Sequence, residues 1–373
     1  MKIVVAPDSF KGSLSAREAA FYIGEGIKKI IPDAETALIP VADGGEGTLE
    51  CLTEESARRR VRVTGPMGGP VEAEYAAADG MGIVEMARAA GLLLAPDSRA
   101  ALATTYGVGE LIKECLVRGC RRILLTVGGS ATNDGGCGML CALGARFLRK
   151  DGSSFVPAGG TLGEIETIDT SELSGAFLAC EFTVAADVRN PLLGESGATM
   201  TYARQKGASD EELRLMEQGM AHYAAILERM TGKKVSQLPS SGAAGGVAVP
   251  IMAFGKCTVR SGARAVLSAS GFYDAAADAD LVICGEGRID SQSLWGKAAG
   301  EIAGFCRERR IPLYCICGAS ACAERPEGIA KILTAESLAD SPADSMARAP
   351  RYLTVLGSLA AIDLAGGAVR RGY

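Results

Sequence analysis

Short apolar runs alternate with amphipathic segments at the start of the chain. The run "KIVVAP" predicts a buried strand, and "AREAAFYIGEGIKKI" has the period of a helix. Ser15 and Glu18 have the spacing of a capping box, which predicts that this helix begins directly after Ser15. A strand over "ETALIPVAD" and a helix from Thr48 repeat the pattern. Strands that alternate with helices in this way are typical of a parallel α/β sheet.

The pattern changes twice further along the chain. From about residue 59, alternating strands separated by Gly-Pro turns predict an antiparallel meander, and two helices are predicted from about residue 198 to 231. After residue 260 strands and helices alternate again. The predicted fold class is therefore α/β, with two domains. Residues 1–60 and 260–373 form a discontinuous, doubly wound (flavodoxin-like) parallel domain, and residues 61–259 form an inserted α/β domain with a mixed sheet. We expect the active site in the interdomain cleft.

The composition of the chain limits the kinds of ligand and partner that the protein is expected to bind. The net charge of -5 gives no electrostatic reason to expect nucleic acid or an anionic membrane, so the ligand is expected to be a small molecule. No apolar stretch has the length of a membrane span, and we expect a cytoplasmic protein. The 12 cysteines lie in apolar segments without a C-x-x-C pair, which predicts reduced core residues. The one histidine, His222, is expected on the solvated face of a helix, which argues against a His-based zinc site or catalytic triad.

Five glycine-flanked polar segments follow predicted strands. In parallel α/β sheets, ligands bind beyond the carboxyl ends of the strands, and glycine-rich helix starts bind phosphate through backbone N-H groups. The segments carry Asp8, Ser9 and Lys11; Asp43 and Glu46; the run "TVGGSATNDGGCG" at residues 126–138; Asp187, Arg189 and Asn190; and Glu286, Arg288, Asp290 and Lys297. Carboxylates beside phosphate imply Mg²⁺ between them, and lysines would neutralise a phosphoryl group in transfer.

Two common nucleotide motifs fail. The segment "SQSLWGKA" has Ser291 in place of the first glycine of a P-loop and Ala298 in place of the hydroxyl residue that binds Mg²⁺. The segment "GCGMLC" has Cys141 where a dinucleotide fingerprint needs its third glycine. A P-loop is therefore absent, and the sequence disfavours a nicotinamide enzyme.

Several segments together resemble the bacterial glycerate kinase family, the class without a P-loop. They run in family order from residue 6 to about 300 and include "APDSFKGSLSA", "PVADGGEGT", "IVEMARAAGL", "VGGSATNDGG", "ADVRNPLLGESGA" and "GEGRIDSQ". The resemblance implies ATP-dependent phosphorylation of D-glycerate to 2-phosphoglycerate in sugar-acid or glyoxylate catabolism. It also implies two α/β domains with the site in their cleft. Relatives are expected to have a histidine before "GK", where this chain has Trp295, so no role of that histidine carries over.

We assign candidate roles on this basis. With no usable histidine, a carboxylate must accept the proton of the acceptor hydroxyl, and Asp187 is the candidate base. Arg189 and Asn190 are candidates for holding the glycerate carboxylate. Asp290 and Glu286 are the candidate Mg²⁺ ligands, and Lys297 the candidate phosphate partner.

The glycine-rich run has a role of its own. Gly128 and Gly129, with Gly135 and Gly136, are expected to cradle a phosphate or carboxylate. The orientation of that group is then expected to depend on Ser130, Asn133 and Asp134, and Asp8, Ser9 and Lys11 are expected to face this loop from the other domain.

Other functions share this chemistry. A kinase for another hydroxy acid such as tartronate or lactate, a glycerate 3-kinase and a phosphatase all use carboxylates beside phosphate. A two-domain sugar-acid binding protein would bind its ligand without ATP turnover.

Overall fold

The computed structural model describes residues 1–45, 47–97, 99–290, 297–322 and 324–367. Glu46, Ser291 and Trp295, which are named above, lie outside the described residues. The strands in this part of the chain are β1 (Lys2–Pro7), β2 (Glu35–Leu38), β3 (Arg58–Thr64), β4 (Pro70–Ala78), β5 (Met81–Glu85), β6 (Arg122–Thr126), β7 (Arg146–Leu148), β8 (Ser154–Phe155), β9 (Thr167–Asp169), β10 (Glu181–Ala185), β11 (Lys256–Arg260), β12 (Leu281–Ile289), β13 (Leu313–Ser320) and β14 (Lys331–Thr334).

The α-helices of the described residues follow the same order. They are α1 (Ala16–Ile30), α2 (Thr48–Leu52), α3 (Ala87–Ala90), α4 (Tyr106–Val117), α5 (Cys137–Ala142), α6 (Gly175–Ala179), α7 (Asp210–Thr231), α8 (Val249–Phe254), α9 (Gly262–Ala269), α10 (Phe272–Ala276), α11 (Ala298–Arg309), α12 (Pro342–Ala347) and α13 (Ala349–Ala365). Short 3₁₀ and π turns connect several of them. None of the helices in the described ranges is long and apolar enough to cross a membrane.

The chain divides into two compact units. The first comprises Met1–Asp43 and Gly262–Tyr373, and the second comprises Gly44–Ser261. The second junction lies close to the predicted one at residue 260, whereas the first lies well before residue 60. The difference has a local cause: α2 packs against β5, and β3 pairs with β4, so residues 44–64 are built onto the second unit. The predicted interdomain cleft stays a prediction.

The first unit is a parallel sheet covered on both faces. Its strand order is β14-β13-β12-β1-β2, and every pair is parallel. Numbered along the chain, this is the flavodoxin-like order 2-1-3-4-5, as predicted. Ile3 and Val5 of β1 pack towards α1 and α13, and Val4 and Ala6 pack towards α9 and α11. Because β1 is buried on both faces, it is an unbroken apolar run.

The second unit has a mixed six-stranded sheet. The order is β11-β10-β6-β5-β4-β3, in which β11, β10, β6 and β5 are parallel while β4 and β3 are antiparallel. The antiparallel meander predicted after residue 59 is therefore confirmed. A second, three-stranded antiparallel sheet has the order β8-β7-β9.

Local predictions hold at several elements. Helix α1 has the predicted bounds, and Ser15 and Glu18 form its capping box. Helix α7 buries Leu213, Met216, Met220, Tyr223 and Leu227. His222 lies on the exposed side of α7, where its Nε2 is 2.6 Å from the carbonyl oxygen of Ile165. All twelve cysteines are free thiols. The first of the two helices predicted between 198 and 231 is instead a π turn over Thr199–Ala203 and a 3₁₀ turn over Arg204–Lys206.

Candidate active site

The switch point of the parallel sheet carries a cavity in the first unit. Strands β1 and β12 are neighbours in the sheet, and their chains leave its carboxyl edge on either side of this point. A cavity of about 340 Å³ opens there. The predicted residues that line it are Asp8, Ser9, Lys11, Glu286, Arg288, Asp290 and Lys297. Asp43 lines it as well. The segment after β1 and the segment at the end of β12 are far apart in the sequence and meet in one cavity. The cavity lies where ligands bind in folds of this kind.

Asp8 is held at the end of β1. Its Oδ1 accepts a hydrogen bond from the backbone N-H of Ser9 at 2.5 Å. Burial raises the pKa of Asp8 to about 6, and the charge of Asp43 adds to this, while the Ser9 N-H and the charge of Lys11 act in the opposite direction. The carboxyl group therefore changes charge near pH 6.

Asp43 and Lys297 lie at the start of helix α11. Oδ1 of Asp43 accepts a hydrogen bond from the backbone N-H of Ala298 at 2.9 Å, so its carboxylate satisfies a first-turn amide of the helix. Lys297 is the N-cap residue and precedes the first helical position. Asp43, for which the sequence pattern indicates no role, therefore lies beside the candidate phosphate-binding lysine.

Glu286 and Arg288 differ from their predicted positions. The sequence analysis places them in a loop after the strand, but β12 continues to Ile289, where Arg288 is in register with Ala319 of β13. The physical reason lies in Gly285, where a Cβ atom would lie 2.1 Å from the carbonyl oxygen of Ile316. Glycine there lets β12 approach β13 closely and continue pairing. Asp290 follows the strand, as predicted.

The cavity combines both signs of charge. Four carboxylates and three cationic side chains line it. In the described ranges no group of three or more His, Cys, Asp or Glu residues is placed to hold a metal ion by itself. Mg²⁺ commonly uses only one or two carboxylates and takes its other ligands from phosphate and water. The donor set of this cavity therefore fits Mg²⁺ that arrives with a phosphorylated substrate.

A second cavity of the first unit contains none of the predicted residues. It measures about 360 Å³ and lies at the amino end of β13, where Arg307, Arg310 and Leu313 line it. Because ligands of parallel α/β sheets bind at the carboxyl ends of the strands, the cavity at Asp8 is the candidate site.

The second unit has its own row of polar residues at the carboxyl edge of the parallel strands. Thr126, which ends β6, is in register with Glu85 of β5 and with Ala185 of β10. The glycine-rich loop and Asp187 therefore leave the same edge of one sheet. Asp187 and Arg189 are exposed.

Asn190 already has partners within its own loop. Its Nδ2 donates to the carbonyl oxygen of Ser196 at 2.7 Å, and its Oδ1 accepts from the hydroxyl of Tyr202 at 2.7 Å. Its side chain therefore shapes the loop after β10, and Arg189 is the better placed of the two for a substrate carboxylate.

The glycine-rich loop has an exposed tip and a buried base. Gly128 and Gly129 are exposed, and neither backbone N-H donates a hydrogen bond to another group in the described part of the chain. Gly135 and Gly136 are buried in left-handed conformations. A Cβ atom at Gly136 would lie 2.7 Å from the carbonyl oxygen of Val247. The outer pair can reach a ligand, whereas the inner pair is required by packing.

The polar side chains of the loop face inward. Asp134 is fully buried and accepts hydrogen bonds from the backbone and hydroxyl of Thr105, both at 2.8 Å, and from the amides of Gly136 and Gly138 at 3.1 and 3.2 Å. Burial raises its pKa, and these hydrogen bonds oppose the shift. Asn133 is also fully buried, and its Nδ2 donates to Thr199 Oγ1 at 3.0 Å. These two side chains hold the loop together, while Ser130 lies nearer its tip.

Sequence reasoning missed two residues that support the loop. Lys206 is buried beneath the loop. Thr105, directly before α4, donates hydrogen bonds to the carboxylate of Asp134. A lysine in the polar segment "ARQKGAS" has no sequence pattern that predicts burial. The threonine precedes a helix, which indicates only an ordinary cap.

Comparison with known proteins assigns the family. A sequence model described as "Glycerate kinase family" matches residues 3–362. The chain belongs to this family. The protein is therefore a kinase, as predicted, and the alternative of a binding protein without turnover is set aside.

Several relatives are similar over most of their length. The kinase is 42% identical over 322 residues to "Glycerate kinase" of Halalkalibacterium halodurans, with 85% of each chain covered. It is 43% identical over 324 residues to "Glycerate kinase" of Bacillus subtilis and 42% identical over 324 residues to "Glycerate 2-kinase" of Escherichia coli, again with 85% of each chain covered.

A solved structure supports the fold. The crystal structure of a protein provisionally named glycerate kinase 2, from Salmonella typhimurium LT2, has a TM-score of 0.88 to this kinase. The two are 38% identical, and the match covers 99% of each chain. The predicted α/β class, with a parallel and a mixed sheet, is confirmed.

Proposed function

We propose that the kinase transfers the γ-phosphoryl group of ATP to the 2-hydroxyl group of D-glycerate and forms ADP and 2-phosphoglycerate. The observation that carries the proposal is the cavity at the β1–β12 switch point, where carboxylates and cations from both parts of the first unit meet. The glycerate 2-kinase from Escherichia coli, 42% identical to this chain, supports the choice of the 2-hydroxyl group.

The cations of the cavity suit the nucleotide. Lys11, Arg288 and Lys297 all line it, and charge on a transferring phosphoryl group is stabilised by cations that are already in place. Lys297 has the further advantage of its position at the N-terminus of α11, where the helix dipole also favours an anion. We assign Lys297 as the partner of the transferred phosphoryl group.

The carboxylates of the cavity suit the cation of the nucleotide. Asp290 and Glu286 would hold Mg²⁺, with Asp8 and Asp43 lining the same space. When bound, Mg²⁺ neutralises charge on the phosphate oxygens. Without Mg²⁺, the four carboxylates of the cavity would repel the triphosphate of ATP.

The acceptor is assigned to the second unit. Asp187 is the proposed base, because it is an exposed carboxylate just beyond the carboxyl end of β10. It takes the proton of the 2-hydroxyl group while the glycerate oxygen forms a bond to the γ-phosphorus and the bond from that phosphorus to the β-γ bridging oxygen breaks. ADP leaves with the electron pair of the broken bond. Arg189 and the exposed amides of Gly128 and Gly129 are proposed to hold anionic oxygens of the substrates.

An assay of ADP release tests the proposal. The purified kinase is incubated with ATP, Mg²⁺ and one acid from a panel of D-glycerate, tartronate and lactate, and phosphorus NMR then identifies the product. We expect ADP release with D-glycerate and the resonance of 2-phosphoglycerate. A product phosphorylated at the 3-hydroxyl, or faster turnover of another acid, would overturn the assigned acceptor.

Variants in each unit test the assigned roles. Asp187→Asn is expected to lower kcat by about 10² to 10⁴, the usual contribution of a positioned base. Lys297→Ala is expected to lower kcat as well, since it removes charge from the phosphoryl site. Asp151→Asn, which changes an exposed aspartate between β7 and β8, is the matched control and should keep wild-type activity. Wild-type activity in Asp187→Asn would exclude it as the base.

A further inference from the structure

A lysine lies buried directly beneath the glycine-rich loop. Lys206 ends the 3₁₀ turn Arg204–Lys206, and only 3% of its surface is exposed. Its Nζ donates hydrogen bonds to Ser130 Oγ and to the carbonyl oxygen of Thr132, both at 2.8 Å. One ammonium group therefore connects two points of the loop to a segment more than seventy residues further along the chain.

Burial of this charge is costly. Desolvation lowers the pKa of Lys206 to about 8, and the charge of Asp134 offsets only part of this effect. Most lysines avoid burial altogether, because water solvates an ammonium better than a protein interior does. A buried lysine at a candidate ligand loop is therefore a functional candidate, provided that geometry supports it.

The inner face of the loop holds further polar groups. Ser130, Thr132, Asn133 and Asp134 are all buried. Thr132 Oγ1 and Asn133 Oδ1 have no hydrogen-bond partner among the residues that the structure describes. A core built for stability alone would leave few such atoms. A loop that is held in place to bind a ligand is one explanation for polar groups buried in this way.

The loop is fixed on both sides of its tip. The backbone N-H of Leu92 donates to the carbonyl oxygen of Gly129 at 2.9 Å, and the N-H of Ala131 donates to that of Ala90 at 2.8 Å. Lys206 adds side-chain contacts to Ser130 and Thr132, directly after the exposed pair Gly128 and Gly129. These contacts determine the direction in which the backbone amides of Gly128 and Gly129 point.

We propose that Lys206 is a positioning residue, whose ammonium group holds Ser130 and Thr132 so that the amides of Gly128 and Gly129 are presented to an anionic oxygen of a substrate. The inference rests on the proposed function. The shared ligand chemistry is an anionic oxygen, from either a phosphate of ATP or the carboxylate of glycerate. Lys206 acts through the loop and does not itself touch the reacting atoms.

Steady-state kinetics of the full-length kinase test this role. Lys206→Met removes the charge but keeps much of the side-chain volume, and Lys206→Arg keeps a charged donor. Lys233→Met is the control, since Lys233 is exposed and its Nζ donates to a carbonyl oxygen that is not part of the loop, that of Met252 at 3.0 Å. The KM values for ATP and for D-glycerate are measured separately, together with kcat and the melting temperature.

We expect Lys206→Met to raise one of the two KM values by about ten- to a hundred-fold, the range that follows from a misplaced binding group, while the chain stays folded. A rise in the KM for ATP assigns the loop to phosphate, and a rise in the KM for D-glycerate assigns it to the carboxylate. Lys206→Arg should recover part of the loss, and Lys233→Met should match the wild type.

The possible failures are distinguishable. If the wild type does not phosphorylate D-glycerate, the proposed function is wrong. If the wild type is active but Lys206→Met has wild-type KM values, or shows only a lower melting temperature, the positioning role is wrong. Should Lys206→Met not fold, Ser130→Ala decides the question, because it removes one of the two contacts of the ammonium group, and wild-type KM values for both substrates in this variant would overturn the inference.

Discussion

Asp8 shows how the first unit keeps an ionisable group at its site. The residue follows a fully apolar strand and shares its cavity with Asp43, and the N-H and side chain of Ser9 and the charge of Lys11 offset only part of the effect of burial. A carboxylate there is less stable than in water. Because the pKa of Asp8 differs between the folded and the unfolded chain, the free energy of unfolding should depend on pH near that pKa. Activity should change over the same pH range, since Asp8 lines the candidate site.

The stability of Asp8→Asn relative to the wild type should depend on pH. The pKa of Asp8 is raised from 3.8 to about 6, so the folded chain binds more protons than the unfolded chain between these values. The contribution of Asp8 to the free energy of unfolding is present below pH 4 and is lost as the pH rises through 6. Above pH 6, Asp8→Asn should be more stable than the wild type by up to about 3 kcal/mol.

Urea denaturation at several pH values from 4.5 to 7.5 measures this difference. The advantage of Asp8→Asn should shrink as the pH falls towards 4.5. Asp33→Asn, an exposed change in the loop before β2, is the control and should follow the wild type throughout. A difference between Asp8→Asn and the wild type that does not vary with pH would contradict the assigned pKa.

Residue chemistry was only partly predictable from the sequence. Asp8, Lys11, Asp290 and Lys297 follow strands or precede a helix, so a parallel sheet brings them to one edge and their meeting could be predicted. The inward orientation of Asn133 and Asp134 depends on Thr199 and Thr105, and the burial of Lys206 depends on the path of the loop. Such contacts between distant segments leave no local pattern in the sequence.

At the scale of elements, two glycines let helices α1 and α13 pack closely. A Cβ atom at Gly26 would lie 2.0 Å from the carbonyl oxygen of Thr354, and one at Gly357 would lie 2.3 Å from that of Ile23. The Ser358 hydroxyl donates to the carbonyl oxygen of Gly26 at 2.9 Å. The backbones of the two helices are therefore in direct contact, and any side chain at either glycine must separate them.

Alanine at two glycines of the same unit should have opposite effects. Gly26→Ala forces α1 and α13 apart, and we expect it to lower the free energy of unfolding by about 1 to 3 kcal/mol or more. Gly304 of α11 has no atom within 4 Å of its Cβ position, so Gly304→Ala should stabilise the chain by up to about 1 kcal/mol through helix propensity. Thermal and urea denaturation of both variants check the signs. Equal effects would contradict the close packing of α1 on α13.

Elements with their own local signals were predictable, and those shaped by neighbours were not. The Ser15–Glu18 capping box defines the start of α1 in the sequence itself. The length of β12 depends instead on the approach of Gly285 to Ile316 of β13, and the π turn at Thr199–Ala203 lies where the pattern favours an ordinary helix. Packing against β13 decides the first case.

At the scale of the whole molecule, the two units differ in how the chain builds them. Residues 44–261 are continuous and enclose a large apolar core between the mixed sheet and its helices. The first unit takes β1 and β2 from the start of the chain and β12, β13 and β14 from its last third. A continuous unit with its own core can fold alone, whereas a two-strand remnant of a parallel sheet cannot.

Separate expression should reveal this asymmetry. We expect residues 44–261 alone to give a folded protein with one cooperative thermal transition. Residues 1–261 should show the same transition, with residues 1–43 sensitive to protease, because β12, which pairs with the other edge of β1, is missing and leaves only β1 and β2. Circular dichroism and limited proteolysis measure both. An unfolded 44–261 fragment, or protection of residues 1–43 in the longer one, would contradict this view.

The pairing of Ile3 with Leu281 across the parallel sheet has a consequence for biosynthesis. The first strand leaves the ribosome long before its partner has been translated, and at about 5 to 20 residues per second this delay lasts roughly 15 to 55 seconds. During that interval β1 has only the short strand β2 to pair with, and its other edge lacks β12, while the segment that follows can already collapse. We therefore expect β1 to be accessible, while the chain is being made, to chaperones that shield apolar segments of new chains.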